Sequence, residues 1–255
     1  MKAMENDIEY RKQLTKELKE VLLEAGASLV GFADLKGIVE DGFPCGVSMA
    51  IAIPTQLILS IEDGPNMDYY TLYHDYRSKL NHVALVGERF LREKGYIAKA
   101  QTTEVVEEYG NYRTKLPLKT VATRAALGWI GKSALLVTKE YGSAIRLTSL
   151  LTDAPLLTAT PITNSSCGGC MKCHDACPGK AISGKLWNAN MDRDEFFDPI
   201  ACRKKARELA AEKIQKQITL CGKCFVVCPY TRAYIMREEQ KKSNNESDVA
   251  ATKIE

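Results

Sequence analysis

Residues 167–178 read CGGCMKCHDACP: four cysteines within twelve residues, the last followed by a proline. A second group, CGKCFVVCP, occupies 221–229, and Cys202 stands between the two. Eight of the nine cysteines thus lie beyond residue 158. The N-terminus, MKAMENDIEYRKQ, is polar, with neither the apolar segment of a secretory signal nor a twin arginine. The longest apolar run, near 47–53, is too short to span a bilayer. A cytoplasmic location without a membrane partner is therefore expected, and thiols kept reduced there read as metal ligands rather than disulfides. A 45% hydrophobic and 26% charged composition is that of a globular chain. A net charge of +3 does not by itself call for nucleic acid.

The first group has the spacing C-x2-C-x2-C-x3-C-P. Bacterial ferredoxins use this run so that three thiolates close on one 4Fe-4S cluster and the fourth reaches the other. Applied here, that rule assigns Cys167, Cys170, Cys173 and Cys228 to one cluster. The other takes Cys177, Cys221 and Cys224, with Cys202 replacing the early cysteine that the second run lacks. Structural zinc is the competing reading, because zinc also accepts four thiolates and CxxC pairs. It has no need of three cysteines at x2-x2 followed by x3-Cys-Pro. Two adjacent low-potential clusters form a path for single electrons. Cys45 reads as a small apolar filler. His174 is expected to be exposed in the cluster loop, and His74 and His82 to be structural or surface residues.

The rest of the chain reads as α+β. Residues 6–25 carry a helical stripe (Ile8, Leu14, Leu18, Val21, Leu22, Ala25), with Asn6 and Glu9 as a capping box and Gly26 as the stop. Segments 28–34, 47–53 and 96–102 read as strands, and 67–94 as a long helix ended by Gly95. Pro117 opens a short helix that ends near Gly128. Residues 134–138 and 143–152 read as a hairpin. TATPITNSS, from 158, reads as a linker into a cluster domain at 158–235. Residues 203–220 read as a helix, and 236–255 as a polar, disordered tail. The basic run Arg203-Lys204-Lys205 reads as a solvated helix face.

The stretch ahead of the cysteines, residues 121–156, resembles the corresponding part of epoxyqueuosine reductases. The matching motifs are ALGWIGK (126–132) and TDAPL (152–156), in the same order relative to Cys202 and the second cysteine group. YHDYRSKL (73–80) is more loosely similar to the family's Asp-Tyr-His helix. The resemblance covers roughly residues 15–232. It implies a nitroreductase-like α/β cobalamin-binding domain at 1–157, followed by a ferredoxin-like domain with two 4Fe-4S clusters. It also implies base-off cobalamin reduced through those clusters, as in the related reductive dehalogenases. Gly128, Trp129, Ile130 and Gly131 would then approach the cofactor, glycine admitting backbone where a Cβ would intrude. Lys132, Ser133, Ser143, Thr148 and Ser149 would offer polar groups to it. The bland reading of the same motif is a helix end followed by a buried tryptophan.

The family's aspartate proton donor has no counterpart in YGNYRTKLPLKT (109–120), which holds no acidic residue. Tyr112, with Lys115 or Arg113, is the candidate replacement, and Tyr109 is the other local tyrosine. The helical-repeat domain with which many of these reductases hold tRNA has no counterpart after the clusters either. A paralogue with another substrate is thus expected, with tRNA not a partner and a ferredoxin or flavodoxin as electron donor. Two other readings stay open. The chain could serve as an electron carrier or reductive activator for a separate corrinoid protein. Alternatively, its first half could bind flavin or a partner.

Overall fold

In a computed structural model of the chain, residues 2–38 and 42–251 are described. Helix α1 (Lys2–Glu24) buries Leu14, Leu18 and Leu22 along one face. It starts before Asn6, so the expected capping box is not its beginning, and Ile8 lies exposed. Gly26 ends it at φ +105°, with its N–H on the Leu23 carbonyl. The sheet comprises β1 (Leu29–Asp34), β2 (Cys45–Ala52), β3 (Ala98–Ala100) and β6 (Ile145–Thr152), in the order β1-β2-β6-β3. Every pairing is antiparallel, so the half expected as α/β lacks the parallel pairing of alternating βα units. The whole chain is a mixed α and β fold.

Alternation along the paired central strands sorts side chains onto two faces. Val47, Met49 and Leu150 face α1 and α3 (Met67–Glu93). Leu151, with Ala33 and Leu35 of the adjoining strand, faces α4 (Leu118–Arg124) and its Val121. Helix α3 opens on Asn66, whose side chain accepts the Tyr69 N–H, and it buries Tyr69, Tyr76, Leu80, Val83 and Leu91. That is the periodicity read in the sequence, with Tyr73 and Phe90 half-buried beside it. Helix α2 (Thr55–Ser60) was not foreseen.

The expected 134–152 hairpin does not form. Residues Leu136–Val137 (β5) instead pair with Trp129–Ile130 (β4) as a separate two-stranded unit. Strand β6 is drawn into the main sheet between β2 and β3, where all its residues from Thr148 onward are buried.

The presumed linker is tied down. Ala159 N–H bonds the Phe32 carbonyl, and Ile162 N–H that of Thr123. Beyond it come three short helical segments: α5 (Lys172–Asp175), a 3-10 turn at Arg193–Glu195, and α7 (Lys223–Val226). Longer helices are α6 (Pro199–Ile214), which carries Cys202, and α8 (Pro229–Ala251). Helix α8 continues through most of the stretch read as a polar tail, which contains no Gly or Pro to stop it. Residues 252–255, the rest of that stretch, lie outside the described residues. The two halves share a core, since Phe225, Tyr234 and Ile235 pack with the sheet residues and Tyr69 meets Phe225 edge-on at 6.0 Å.

Candidate functional site

The proline after each cysteine run and the four-residue helices α5 and α7 fold both runs into compact turns. Cys173 sits on α5 and Cys224 on α7, and the two helices pack together. The Cys173 thiol is pushed up to about 11, first by burial and then by Cys167, Cys228 and Cys170. The Cys202 thiol also rises to about 11, by burial and then by Cys177 and Cys221. Cys224 is raised by burial, then by Cys221, Cys202, Cys173 and Cys177. Cys173 thus lies near Cys167, Cys170 and Cys228, and Cys202 near Cys177 and Cys221, with Cys224 near members of both sets. Cys167, Cys170, Cys173 and Cys228 share a cavity of about 40 Å³, which Cys224 also edges. Among the described residues, no three His, Cys, Asp or Glu side chains converge tightly enough for one metal ion; the thiols ring a space instead. Crowded, buried thiols are poor thiolates on their own, and cationic iron is what would deprotonate them. The donor set therefore fits clusters. Cys45 lies apart in the sheet core, with its thiol raised by burial.

On the other side of the β4–β5 hairpin lies a cleft of about 740 Å³. Its walls include Ile130, Leu135, Leu136, Ile162 and Trp187, with Arg193 and Tyr112 among the polar lining. The turn joining the two strands is closed by Gly131 N–H on Leu135 O and Ala134 N–H on Gly131 O. Ile130, Ala134, Leu135 and Leu136 line the cleft, whereas Gly131, Lys132, Ser133 and Val137 line the cysteine cavity. One hairpin is thus the partition between the two spaces.

The nine residues expected at a corrinoid are spread over this partition and beyond it. Ile130 and Ser143 line the cleft. Among the described residues the buried Ser143 hydroxyl has no partner, while its N–H donates to Thr231 Oγ1. Gly131, Lys132 and Ser133 face the cysteines instead. Trp129 is buried against Trp187, Phe196 and the edge of Tyr230, and belongs to packing. Gly128 has no room for a Cβ, but the crowding atom is the Val137 carbonyl oxygen, 2.1 Å from where that Cβ would lie. Thr148 points to the helix-covered face and donates to Gln101 O, and Ser149 is buried in the sheet. A cleft of this volume, with mixed lining and an unpartnered buried hydroxyl, fits a large cofactor.

The proton-donor candidates separate as well. Tyr109 and Tyr112 line the cleft mouth and are exposed. The Tyr112 ring lies under the Arg203 guanidinium at 4.3 Å, so Arg203 packs on this loop rather than standing in solvent. Arg113 is committed to Asp192 and Asp194 at 2.7 and 2.8 Å. Lys115 is exposed and does not line the cleft. The residue missed is Lys119, which lines the cleft and donates to the Ala134 carbonyl. Burial, with Arg193 adding to it, pulls its pKa down to about 8. A signal was present: a lysine in the first turn of a helix opposes the macrodipole. Glu108, one residue before the 109–120 segment, also lines the cleft. His74 and His82 are exposed on α3, and His174 pairs with Asp175 at the surface.

Residues 166–231 match the 4Fe-4S double cluster binding domain. The epoxyqueuosine reductase of Lactococcus garvieae (strain Lg2) is 34% identical over 160 residues, which is 63% of this chain and 42% of that protein. The chain therefore matches less than half the length of that curated relative. A crystal structure of epoxyqueuosine reductase with an epoxyqueuosine-modified tRNA-Tyr stem loop superposes at TM-score 0.57. It is 23% identical and covers 87% of this chain and 66% of that one. A reductive dehalogenase, whose structure suggests a mechanism for B12-dependent dehalogenation, superposes at 0.61. It is 18% identical and covers 83% of this chain and 31% of that one. No helix among the described residues is long and apolar enough to cross a membrane. Residues 166–231 therefore make up a double 4Fe-4S cluster domain, on a chain that resembles epoxyqueuosine reductases and shares its fold with them and with reductive dehalogenases.

Proposed function

We propose that this iron–sulfur redox protein passes electrons from two 4Fe-4S clusters to a base-off corrinoid held in the 740 Å³ cleft. The observation that carries the reading is the shared hairpin, with Ile130, Ala134, Leu135 and Leu136 facing the cleft and Gly131, Lys132, Ser133 and Val137 facing the cysteines. The clusters supply single electrons, and the corrinoid, when bound, supplies a reducible cobalt centre. Cys167, Cys170, Cys173 and Cys228 would hold the nearer cluster, and Cys177, Cys202, Cys221 and Cys224 the farther one. Ser143 offers an unpartnered hydroxyl to a cofactor amide. The apolar wall of Ile130, Leu135 and Leu136 keeps water from the partition. Lys119 holds a proton at Nζ beside the cleft, at a pKa close enough to neutrality to release it. Lys119 joins Tyr112, which also lines the cleft, as a candidate proton donor, whereas Lys115 does not line it. B12 dependence in the dehalogenase of the same fold supports the choice of cofactor.

The test is anaerobic reconstitution with iron and sulfide, addition of cob(II)alamin, and desalting. The expected result is about eight irons and one retained cobalt per chain, with no nitrogen superhyperfine splitting in the EPR spectrum. Full iron without cobalt would sink the corrinoid reading and leave an electron carrier for a separate protein.

A further inference from the structure

We propose that Lys132 is an electrostatic positioning residue, whose buried ammonium raises the reduction potential of the cluster held by Cys167, Cys170, Cys173 and Cys228. This rests on the reading that those cysteines hold a cluster.

Lys132 is 4% exposed. Its Nζ donates to Met171 Sδ at 3.4 Å, a weak acceptor that carries no net charge. Among the described residues no carboxylate pairs with it. A buried ammonium without a counter-charge is expensive to keep, so a negative partner is wanted within reach. Met171 lies between Cys170 and Cys173, and Lys132 lines the same cavity as Cys167, Cys170, Cys173 and Cys228. The preceding residue, Gly131, brings the backbone so near that a Cβ there would lie 3.5 Å from Cys167 Sγ. The ammonium is therefore placed at the cluster-facing side of the hairpin, whose other side faces the cleft.

A four-thiolate 4Fe-4S cluster is anionic in both states, and reduction adds one more negative charge. No bond forms or breaks; one electron arrives from an external low-potential donor such as a ferredoxin or flavodoxin. The ammonium attracts the reduced cluster more strongly than the oxidised one, and a low-dielectric setting amplifies the difference. The predicted consequence is a potential step at the cluster next to the cleft, which draws electrons toward the partition.

Wild type, Lys132→Met, Lys132→Gln and Lys132→Arg would be reconstituted anaerobically, assayed for iron and sulfide, and titrated potentiometrically by EPR. Both neutral variants should shift one cluster, lowering its reduced-to-oxidised ratio at fixed potential about tenfold, which is about 59 mV for one electron. The second cluster should stay in place, and Lys132→Arg should titrate close to wild type. Unmoved potentials in fully loaded neutral variants would overturn the proposal. An equal shift in Lys132→Arg would also overturn it, because packing would then be the cause. Loss of iron from both neutral variants, with Lys132→Arg loaded, would replace tuning by a role in assembly and overturn it too. A wild type that takes up no iron would instead remove the cluster reading on which the proposal rests.

Discussion

The sheet half and the cysteine half of the molecule are built on opposite principles. In the sheet half, β2 is buried at every position but its last, and Val47, Met49 and Leu150 are wholly hidden. Long helices α1 and α3 cover one sheet face and the short α4 the other, so apolar burial specifies the arrangement. In the cysteine half the helices holding Cys173 and Cys224 have four residues each, and all eight cysteines are only half-buried. Beside the core it shares with the sheet, it has one small cluster, in which Trp187 and Phe196 pack on Trp129 of the first half. Secondary structure that short does not hold itself. The first half is a scaffold stabilised by burial; the second depends on what its thiols bind.

The largest expected effect follows from that contrast. Stripping iron with a chelator under reducing conditions should expose residues 166–231 to hydrogen exchange and proteolysis while the sheet keeps its protection. Cys228→Ser should remove about half of the roughly eight irons, since Cys228 crosses from the second run to the first group. Equal protection with and without iron would break the comparison, because the cysteine half would then be self-supporting.

Next in size is the converse substitution. Leu150→Ala removes a wholly buried side chain of β6 that faces the helices, and should cost about 2–5 kcal/mol in urea unfolding. Iron content per folded chain should not change. A variant that keeps its stability but loses iron would show that the halves are not separately stabilised.

How much of this was legible in the sequence also divides by half. Cysteine spacing carries its own geometry, because thiolates three residues apart can close on one cluster; the crossing of Cys177 and Cys228 and the place of Cys202 rest on the ferredoxin rule instead. The covered strands at 29–34 and 45–52 and helix 67–93 were readable from apolar pattern. The partner of β5 was not, because 134–138 and 143–152 look like a hairpin until the main sheet claims β6. Gly128 was read as making room for a ligand, when it makes room for Val137. Sequence cannot tell which neighbour excludes a Cβ. The burial of Lys119 was hidden for a similar reason: its position at a helix start is local, but the Ala134 carbonyl that receives it comes from a distant turn.

Lys119 sharpens the comparison at the cleft, where scaffold and cluster domain meet. Its pKa falls from 10.5 to about 8, chiefly through burial. Below pH 8 folded and unfolded chains both carry the ammonium, and the cost of burying it is in force. Between pH 8 and 10.5 the unfolded chain still holds the proton that the folded chain has released, so stability rises with pH. Lys119→Met should lack that rise and be the more stable protein at pH 7. The difference between the two unfolding curves across pH 7–10 isolates this lysine from the tyrosines and thiols that titrate beside it. A constant difference would mean that Lys119 keeps its proton throughout, and would remove it as a donor at the cleft.

The smallest effect concerns the strap across the cleft mouth. Arg113 binds Asp192 and Asp194, and Arg193 donates to the Asn111 and Tyr112 carbonyls. Asn111 and Tyr112 both have positive φ, at 51° and 59°, conformations that such residues hold only when neighbours enforce them. The Asp192 carboxyl is held below its usual range by Arg113, so its grip persists at neutral pH and is lost only in acid. These groups are solvent-exposed, and exposed ion pairs contribute little to global stability. Arg113→Ala should therefore leave the urea midpoint almost unchanged while speeding hydrogen exchange at residues 109–113. Raised salt should do the same to wild type but not to the variant. A large loss of global stability would show that the strap is structural, joining the two halves, rather than a local clasp on the loop over the cleft.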